Sequence, residues 1–330
     1  MKYDNKPIRW GILGPGRIAH KFCADLLKVS DARIMAVGSR SLERAEAFAQ
    51  SYNIPNAYGS YEALAQSVEV DVIYISTPHN SHHPNTLNCL THDKHVLCEK
   101  PMGINAEQVL AMIQAAEVRN LFLMEAIWTA FFPAIAQVQT LISNGTIGPI
   151  KMIEADFGFT AAVEPDHRLY NPNLTGGALL DIGIYPVFLA HLLKGPPDQI
   201  HAQATMTDTA VDGSTTIQMS WSDGTHGVLN STILADTPIT ATISGPKGYI
   251  QLHRRWHECR EVSLYNKSGQ VDRWTYPDEH HGYVYEIEEV HRCLRTGHQE
   301  STVLSHQFSL GLIRSLDEVR RIIGLKYPSE

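Results

Sequence analysis

Three observations predict an α/β chain of two domains, a doubly wound parallel sheet followed by an α+β domain on a mostly antiparallel sheet. From Ile8 onward, short apolar runs alternate with helical patterns, as in stacked βαβ units. Between Ile200 and Leu252 several strand-like runs follow one another without intervening helices. The length of 330 residues exceeds one ordinary core. The expected domains span residues 1–125 and 126–330.

The first strand is IRWGILG, and it runs directly into GPGRIAHKFCADLL. Gly14, Gly16 and Ala19 there make a G-x-G-x-x-A turn that opens a helix. The first glycine permits a tight turn, the second lets a pyrophosphate approach the backbone, and the small third residue lets helix and strand pack closely. This is the Rossmann fingerprint, and it places Gly14, Gly16, Arg17 and Ile18 at a dinucleotide phosphate.

The second strand, RIMAVGS, arrives where the adenosine ribose is read, and ends in Ser39-Arg40 without an acid. A carboxylate there would bind the ribose hydroxyls of NAD, whereas Ser39 and Arg40 can donate to a 2′-phosphate. NADP is the expected cofactor, with NAD possible. The helix SLERAEAFAQSY follows, and then VDVIYISTP, nearly all apolar as a strand covered on both faces. Thr77 and Pro78 close this strand at the cofactor edge. Beyond them, His79, His82 and His83 crowd one turn without carboxylate or cysteine partners. That pattern suits a helix start at Asn80 or Ser81 with Pro84 in the first turn, and no metal site is expected. His82 is assigned to the cofactor side.

KHVLCEKP is the next strand and delivers Glu99 and Lys100 at its carboxyl edge, where doubly wound sheets bind their ligands. SNGTIGPI then punctuates the chain, and KMIEADFGF alternates as a half-buried strand. In TIQMSWSDGTHGVLNSTI, Asp223-Gly224 reads as a hairpin turn. YVYEIEEVHRCLRTG and SLGLIRSLDEVRRIIG have helical periodicity, each ending at a glycine. In GGALLDIGIYP, Asp181 and Tyr185 lie four apart, so a helix through them sets a carboxylate and a phenol on one face.

Composition excludes some functions. A formal charge of -8 argues against nucleic-acid or anionic-membrane surfaces. The five cysteines (Cys23, Cys89, Cys98, Cys259, Cys293) form no CxxC pair and suggest neither disulfides nor zinc. MKYDNKPIRW has no apolar signal region, and no later run is expected to cross a bilayer. A cytoplasmic protein with reduced thiols is the expectation.

GILGPGRIA, STPHNSH, HVLCEKP and GGALLDIGIYP, in this order and spacing, resemble the Gfo/Idh/MocA family of NAD(P)-dependent oxidoreductases along essentially the whole chain. MEAIWTAFFPA and GGALLDIGIYP are most similar to the branch that holds dihydrodiol and D-xylose dehydrogenases. The resemblance implies a nucleotide-binding domain, then an α+β domain whose open-faced sheet often forms a dimer interface. It implies that Lys100 meets the nicotinamide and the substrate hydroxyl, that Tyr185 is catalytic with Asp181 one turn before it, and that Trp128 and Arg168 lie on the substrate side. Ala130 stands where similar proteins commonly have arginine, and Thr175 replaces a glycine.

Oxidation of an alcohol by hydride transfer requires a base for the hydroxyl proton. Tyrosine is too weak a base at neutral pH unless a cation such as Lys100 favours its phenolate or the developing alkoxide. Asp181 could orient a hydroxyl, balance the lysine charge, or satisfy helix-start donors. Three functions follow: an oxidoreductase for a sugar or cyclic vicinal diol, one for an inositol or modified sugar, or a non-catalytic NADP sensor. The presence of both Lys100 and Tyr185 favours an enzyme. A homodimer is expected, because the antiparallel region offers a sheet face, taken to be apolar, with no helix of its own to cover it.

Overall fold

The computed structural model describes all residues except 1, 2, 4, 5, 165, 166, 278 and 329. The chain divides into two compact units, Met1–Trp128 with Glu279–Leu310, and Thr129–Asp278 with Gly311–Glu330. A continuous second domain from residue 126 therefore misses a return: the segment Glu279–Leu310 belongs with the first unit.

The first unit holds six strands, β1 (Ile8–Leu13), β2 (Ala32–Gly38), β3 (Asn56–Tyr58), β4 (Val72–Ile75), β5 (His95–Glu99) and β6 (Leu123–Ala126). All pair in parallel, in the order β3-β2-β1-β4-β5-β6. The order reverses between β1 and β4, and the crevice at their carboxyl ends is where doubly wound sheets bind nucleotides. Helices α1 (Arg17–Leu26), α2 (Leu42–Tyr52), α3 (Tyr61–Ala65), α4 (His82–Thr91) and α5 (Ala106–Arg119) connect the strands. Strands β4 and β6 are buried at every position, as their apolar runs require.

The return explains itself in hydrogen bonds. Asp25 on α1 accepts from the backbone N–H groups of His281, Gly282 and Tyr283, at 3.0, 2.9 and 2.9 Å. It thereby caps a helix 256 or more positions away (Tyr283–Thr296). The Trp10 indole donates to His291 of that helix at 3.0 Å, and His291 meets Asp31 at 3.1 Å. Periodicity located this helix, but its partners lie at the other end of the sequence.

In the second unit, α6 (Pro133–Ser143) precedes β7 (Met152–Gly158), and α7 (Ile184–Lys194) precedes seven strands. These are β8 (Gln199–Met206), β9 (Asp212–Ser220), β10 (His226–Thr232), β11 (Ala241–Gly245), β12 (Gly248–Leu252), β13 (Glu261–Asn266) and β14 (Gly269–Thr275). The order is β14-β13-β12-β11-β7-β10-β9-β8, antiparallel except for β7 beside β10. Gly224, at φ +80°, makes the expected turn between β9 and β10. The helix at Tyr283–Thr296 is α8, and α9 spans His306–Ile323.

Alternation sorts this sheet into two chemistries. Ile153, Ala155, Ile217, Met219, Leu229, Ile243 and Ile250 are buried on one face. On the other, the register aligns Gln203, Thr216, Asn230 and Asp156, and beside them His201, Gln218, Val228, Glu154, Thr242 and Gln251. The uncovered face exists, but it is mainly polar, which corrects the apolar face expected from the sequence. The stretch Pro172–Lys194 is apolar enough by length and composition to cross a bilayer, contrary to expectation, yet 89% of its most apolar window is buried inside the fold as core.

Candidate active site

The nucleotide side is built from strand ends in the first unit. Leu13 leads into Gly14 at φ +94°, where a Cβ would meet Thr77 Cγ2 at 3.0 Å and the Ser76 carbonyl at 3.2 Å. Gly16 precedes α1, whose first turn carries no acid and receives no side-chain cap. Around a Cβ placed on Gly16, the nearest atom is the Ser76 carbonyl at 4.0 Å. Arg17 is exposed, Ile18 half-buried and Ala19 buried against the sheet. Open backbone N–H groups at a helix start suit a pyrophosphate. At the end of β2, Ser39 is buried, with its Oγ accepting from the Ser41 N–H at 3.3 Å, and Arg40 is exposed. Ser41 caps α2 through the Arg44 N–H. These residues fit a dinucleotide, and β2 runs into Ser39-Arg40 without a carboxylate.

His82 opens α4. Its ring is fully buried, with Nδ1 2.7 Å from the Pro101 carbonyl and Nε2 2.8 Å from the Thr77 carbonyl. It ties the loop after β4 to the loop after β5, which makes it a support for the site. Thr77 accepts from Asn85 at 3.2 Å, and Pro78 is exposed. Ser81 Oγ donates to Asn80 Oδ1 and does not cap α4.

Lys100 is half-buried and precedes a cis peptide to Pro101. Its N–H donates to Glu99 Oε2 at 3.2 Å, and the Tyr74 hydroxyl donates to Glu99 Oε1. Tyr74 is itself fixed by stacking on Phe22 at 3.7 Å. From β6, Glu125 accepts from the Met102 N–H at 2.9 Å, and burial pushes its carboxyl up to about 7. Three buried side chains thus hold the Lys100 loop by its backbone. Trp128 stacks on Tyr283 at 4.6 Å and 20°.

The second unit carries Tyr185. The sequence suggests an ordinary helix through Asp181 and Tyr185; instead Leu179–Gly183 form a π turn that passes into α7. Such turns widen the helix and recur at functional sites. Asp181 lies within that turn. It takes a bidentate ion pair from Arg168, at 2.8 and 3.2 Å. Tyr185, 7% exposed, lies beside Phe157 and His257, with ring centroids 5.7 and 5.3 Å away. Phe157 and His257 stack on each other at 4.1 Å. Thr175 takes a left-handed φ of +55°, a cost that a glycine would avoid, and Ala130 is buried in a 3-10 turn.

A Gfo/Idh/MocA oxidoreductase family model, an NAD-binding Rossmann fold, matches residues 8–127, and a Gfo/Idh/MocA C-terminal domain matches 135–251. Trans-1,2-dihydrobenzene-1,2-diol dehydrogenase of Mus musculus is 39% identical over 98% of this chain and 99% of its own. The chain belongs to the Gfo/Idh/MocA family. It is an NAD(P)-dependent oxidoreductase. A 3-ketoreductase from Actinomadura kijaniata, solved with NADP and TDP-benzene, is 25% identical, with a TM-score of 0.87 over 96% of this chain and 98% of its own. An aldose-aldose oxidoreductase from Caulobacter crescentus, complexed with glycerol, shares the fold at a TM-score of 0.88, with 24% identity over 96% of this chain and 97% of its own.

In this Gfo/Idh/MocA oxidoreductase, sequence reasoning missed Phe157, His257, Glu125 and Asp212. Asp212 is fully buried and accepts from the Leu179 N–H at 2.7 Å, at the start of the π turn. A charged residue opening the strand of a hairpin was its one visible signal. His257 sits in the conspicuous run HRRWHECR, which no periodicity tied to Tyr185.

Proposed function

We propose that this oxidoreductase moves a hydride between NADP and a hydroxyl-bearing carbon of a cyclic vicinal diol or a sugar. The observation that carries the reading is Tyr185: a nearly buried phenol flanked by two flat rings, on a helix that opens with a π turn. A planar or puckered carbocycle suits such a lining. The diol is further supported by the 39% identity to dihydrodiol dehydrogenases, and the NADP preference by Ser39 and Arg40 at the end of β2.

When bound, the nicotinamide accepts or supplies the hydride. Gly14, Gly16 and the start of α1 hold the phosphates, and Lys100, on its clamped loop, supplies a cation that stabilises an alkoxide. Tyr185, ionised to its phenolate, takes the hydroxyl proton at its phenolic oxygen and becomes the neutral phenol. The pair Arg168 and Asp181 keeps the approach to the helix rigid. The exposed Met152 and Tyr249, the latter stacked on Tyr265 at 4.6 Å, support assembly into a homodimer through the open sheet face. A stable monomer in sedimentation at micromolar concentration counts against that assembly.

Tyr185→Phe removes only a hydroxyl. Turnover with NADP and a trans-dihydrodiol or an aldose is expected to fall roughly 10²-fold or more, with NADP affinity and melting temperature unchanged. Lys100→Met is expected to lose turnover to a similar degree. A Phe variant that is less stable but turns over normally makes Tyr185 a packing residue.

A further inference from the structure

The helix that carries Tyr185 has no cap from its own neighbourhood. Residues Gly176, Gly177 and Ala178 precede the π turn, and none supplies a side-chain acceptor for its first N–H groups. The acceptor comes from β9. Asp212 Oδ2 receives the Leu179 N–H at 2.7 Å and the Thr215 hydroxyl at 2.8 Å, and the Ala178 N–H also reaches this carboxyl. Asp212 is fully buried, so these bonds are not in competition with water.

The fit is close enough to dictate a glycine. Gly177 has φ +112°, and a Cβ on it would stand 2.2 Å from Asp212 Oδ1. Behind it, the Tyr327 hydroxyl donates to the Gly176 carbonyl at 2.9 Å. Downstream, Gly183 packs on β10, where a Cβ would meet Ser231 Oγ at 2.8 Å. The π turn is thus pinned at both ends, and Tyr185 follows its far end by two residues.

We propose that Asp212 is a positioning residue for Tyr185, acting by anchoring the N–H groups that open the π turn. The proposal rests on the assignment of Tyr185 as the proton-accepting group. A buried carboxyl facing several donors could have been replaced by an apolar side chain if packing were its only task. Its geometric task is to set where the helix begins, and a shift of about 1 Å in a catalytic group costs up to roughly 10²-fold in rate.

The test compares Asp212→Leu and Asp212→Ala with Asp212→Asn, alongside Tyr185→Phe. Leu keeps the shape and accepts nothing, Ala guards against Leu failing to fold, and Asn keeps an acceptor oxygen. Turnover, KM, NADP affinity and amide hydrogen exchange of the peptide spanning 176–185 are measured on folded samples. For Leu or Ala the expected result is a kcat lowered roughly tenfold, unchanged NADP affinity, and faster exchange in that peptide, with most of both effects restored in Asn. Wild-type kcat in a folded Leu or Ala variant overturns the proposal, as does a loss that Asn fails to rescue. Normal turnover in Tyr185→Phe removes the base assignment instead. The exchange arm then decides the anchor alone, and wild-type exchange in the Leu variant overturns it.

Discussion

The two units pin their candidate catalytic residues by opposite means. Lys100 sits on a loop that Glu99, Glu125 and His82 grip from three elements, all through backbone groups. Tyr185 rides on a helix whose irregular first turn is held by the Asp212 carboxyl at its opening N–H groups and by the packing of Gly183 on β10 at its far end. Three hydrogen-bonding supports tolerate the loss of one, whereas a turn that hangs its opening N–H groups on one carboxyl concentrates sensitivity there. Two glycines show a related contrast, because Gly16 leaves space at the start of α1, whereas the space beside Gly177 is filled by Asp212.

Two glycine substitutions sharpen the contrast and carry the largest expected effect. Gly177→Ala forces a side chain into φ +112° and onto Asp212 Oδ1. It should destabilise the protein by about 3 kcal/mol or more, or prevent folding. Gly16→Ala meets nothing nearer than 4.0 Å and should melt within about 0.5 kcal/mol of wild type. Its loss should fall on NADP affinity, because the methyl group stands where the pyrophosphate approaches. Thermal melts and cofactor titrations decide it. Equal melting losses in the two variants would erase the distinction.

The next effect is one of pH and lies within α8. Asp25 meets three N–H donors at the start of this helix, but Glu286, also in its first turn, is fully buried with no hydrogen-bond partner for either carboxyl oxygen among the described residues. Burial first, then the nearby charges of Glu99 and Asp25, hold its carboxyl well above the usual range. Tyr74 on β4 also faces it. Because the folded value is raised, the stability tied to this group is full below the ordinary glutamate pKa and is lost as pH rises toward the raised value. Each pH unit in that interval costs the wild type up to about 1.4 kcal/mol. Glu286→Gln does not titrate, so its melting temperature should gain on wild type as pH rises above the ordinary glutamate range. A constant gap between the two curves would mean that Glu286 reaches water.

What the sequence disclosed follows from how far each signal travels along the chain. The turn at Gly14, the apolar strands β4 and β5, and Lys100 at a strand end are local patterns, and the structure places each of them on the elements expected. The helix around Tyr185 was equally legible, but not its π turn, whose contacts with Asp212 and with β10 come from distant parts of the chain. Arg168 and Asp181 were each singled out, yet their pairing was not, since they lie 13 positions apart across loop and turn. The return of α8 to the first unit was hidden for the same reason: its cap is Asp25. Alternation in β7, β9 and β10 marked a two-faced sheet, but the polar half of the pattern was overlooked when the open face was taken to be apolar.

The smallest expected effect concerns cofactor choice at the end of β2, where the first unit leaves Arg40 exposed. Arg40 is exposed, and Ser39 Oγ, which accepts the Ser41 N–H, keeps its own proton to donate. A 2′-phosphate can take both donors, while the 2′-hydroxyl of NAD offers a guanidinium no charge to pair with. Exposure limits the worth of Arg40, since solvent and salt screen it. Arg40→Ala should therefore weaken NADP binding about tenfold, roughly 1.4 kcal/mol, and leave NAD binding nearly unchanged. The wild-type preference should also shrink as salt is raised, and the variant's should not. Fluorescence titrations of both cofactors at low and high salt check each part. Equal losses for NADP and NAD would show that Arg40 supports the adenosine pocket as a whole, and would leave Ser39 and the absent carboxylate to set the preference.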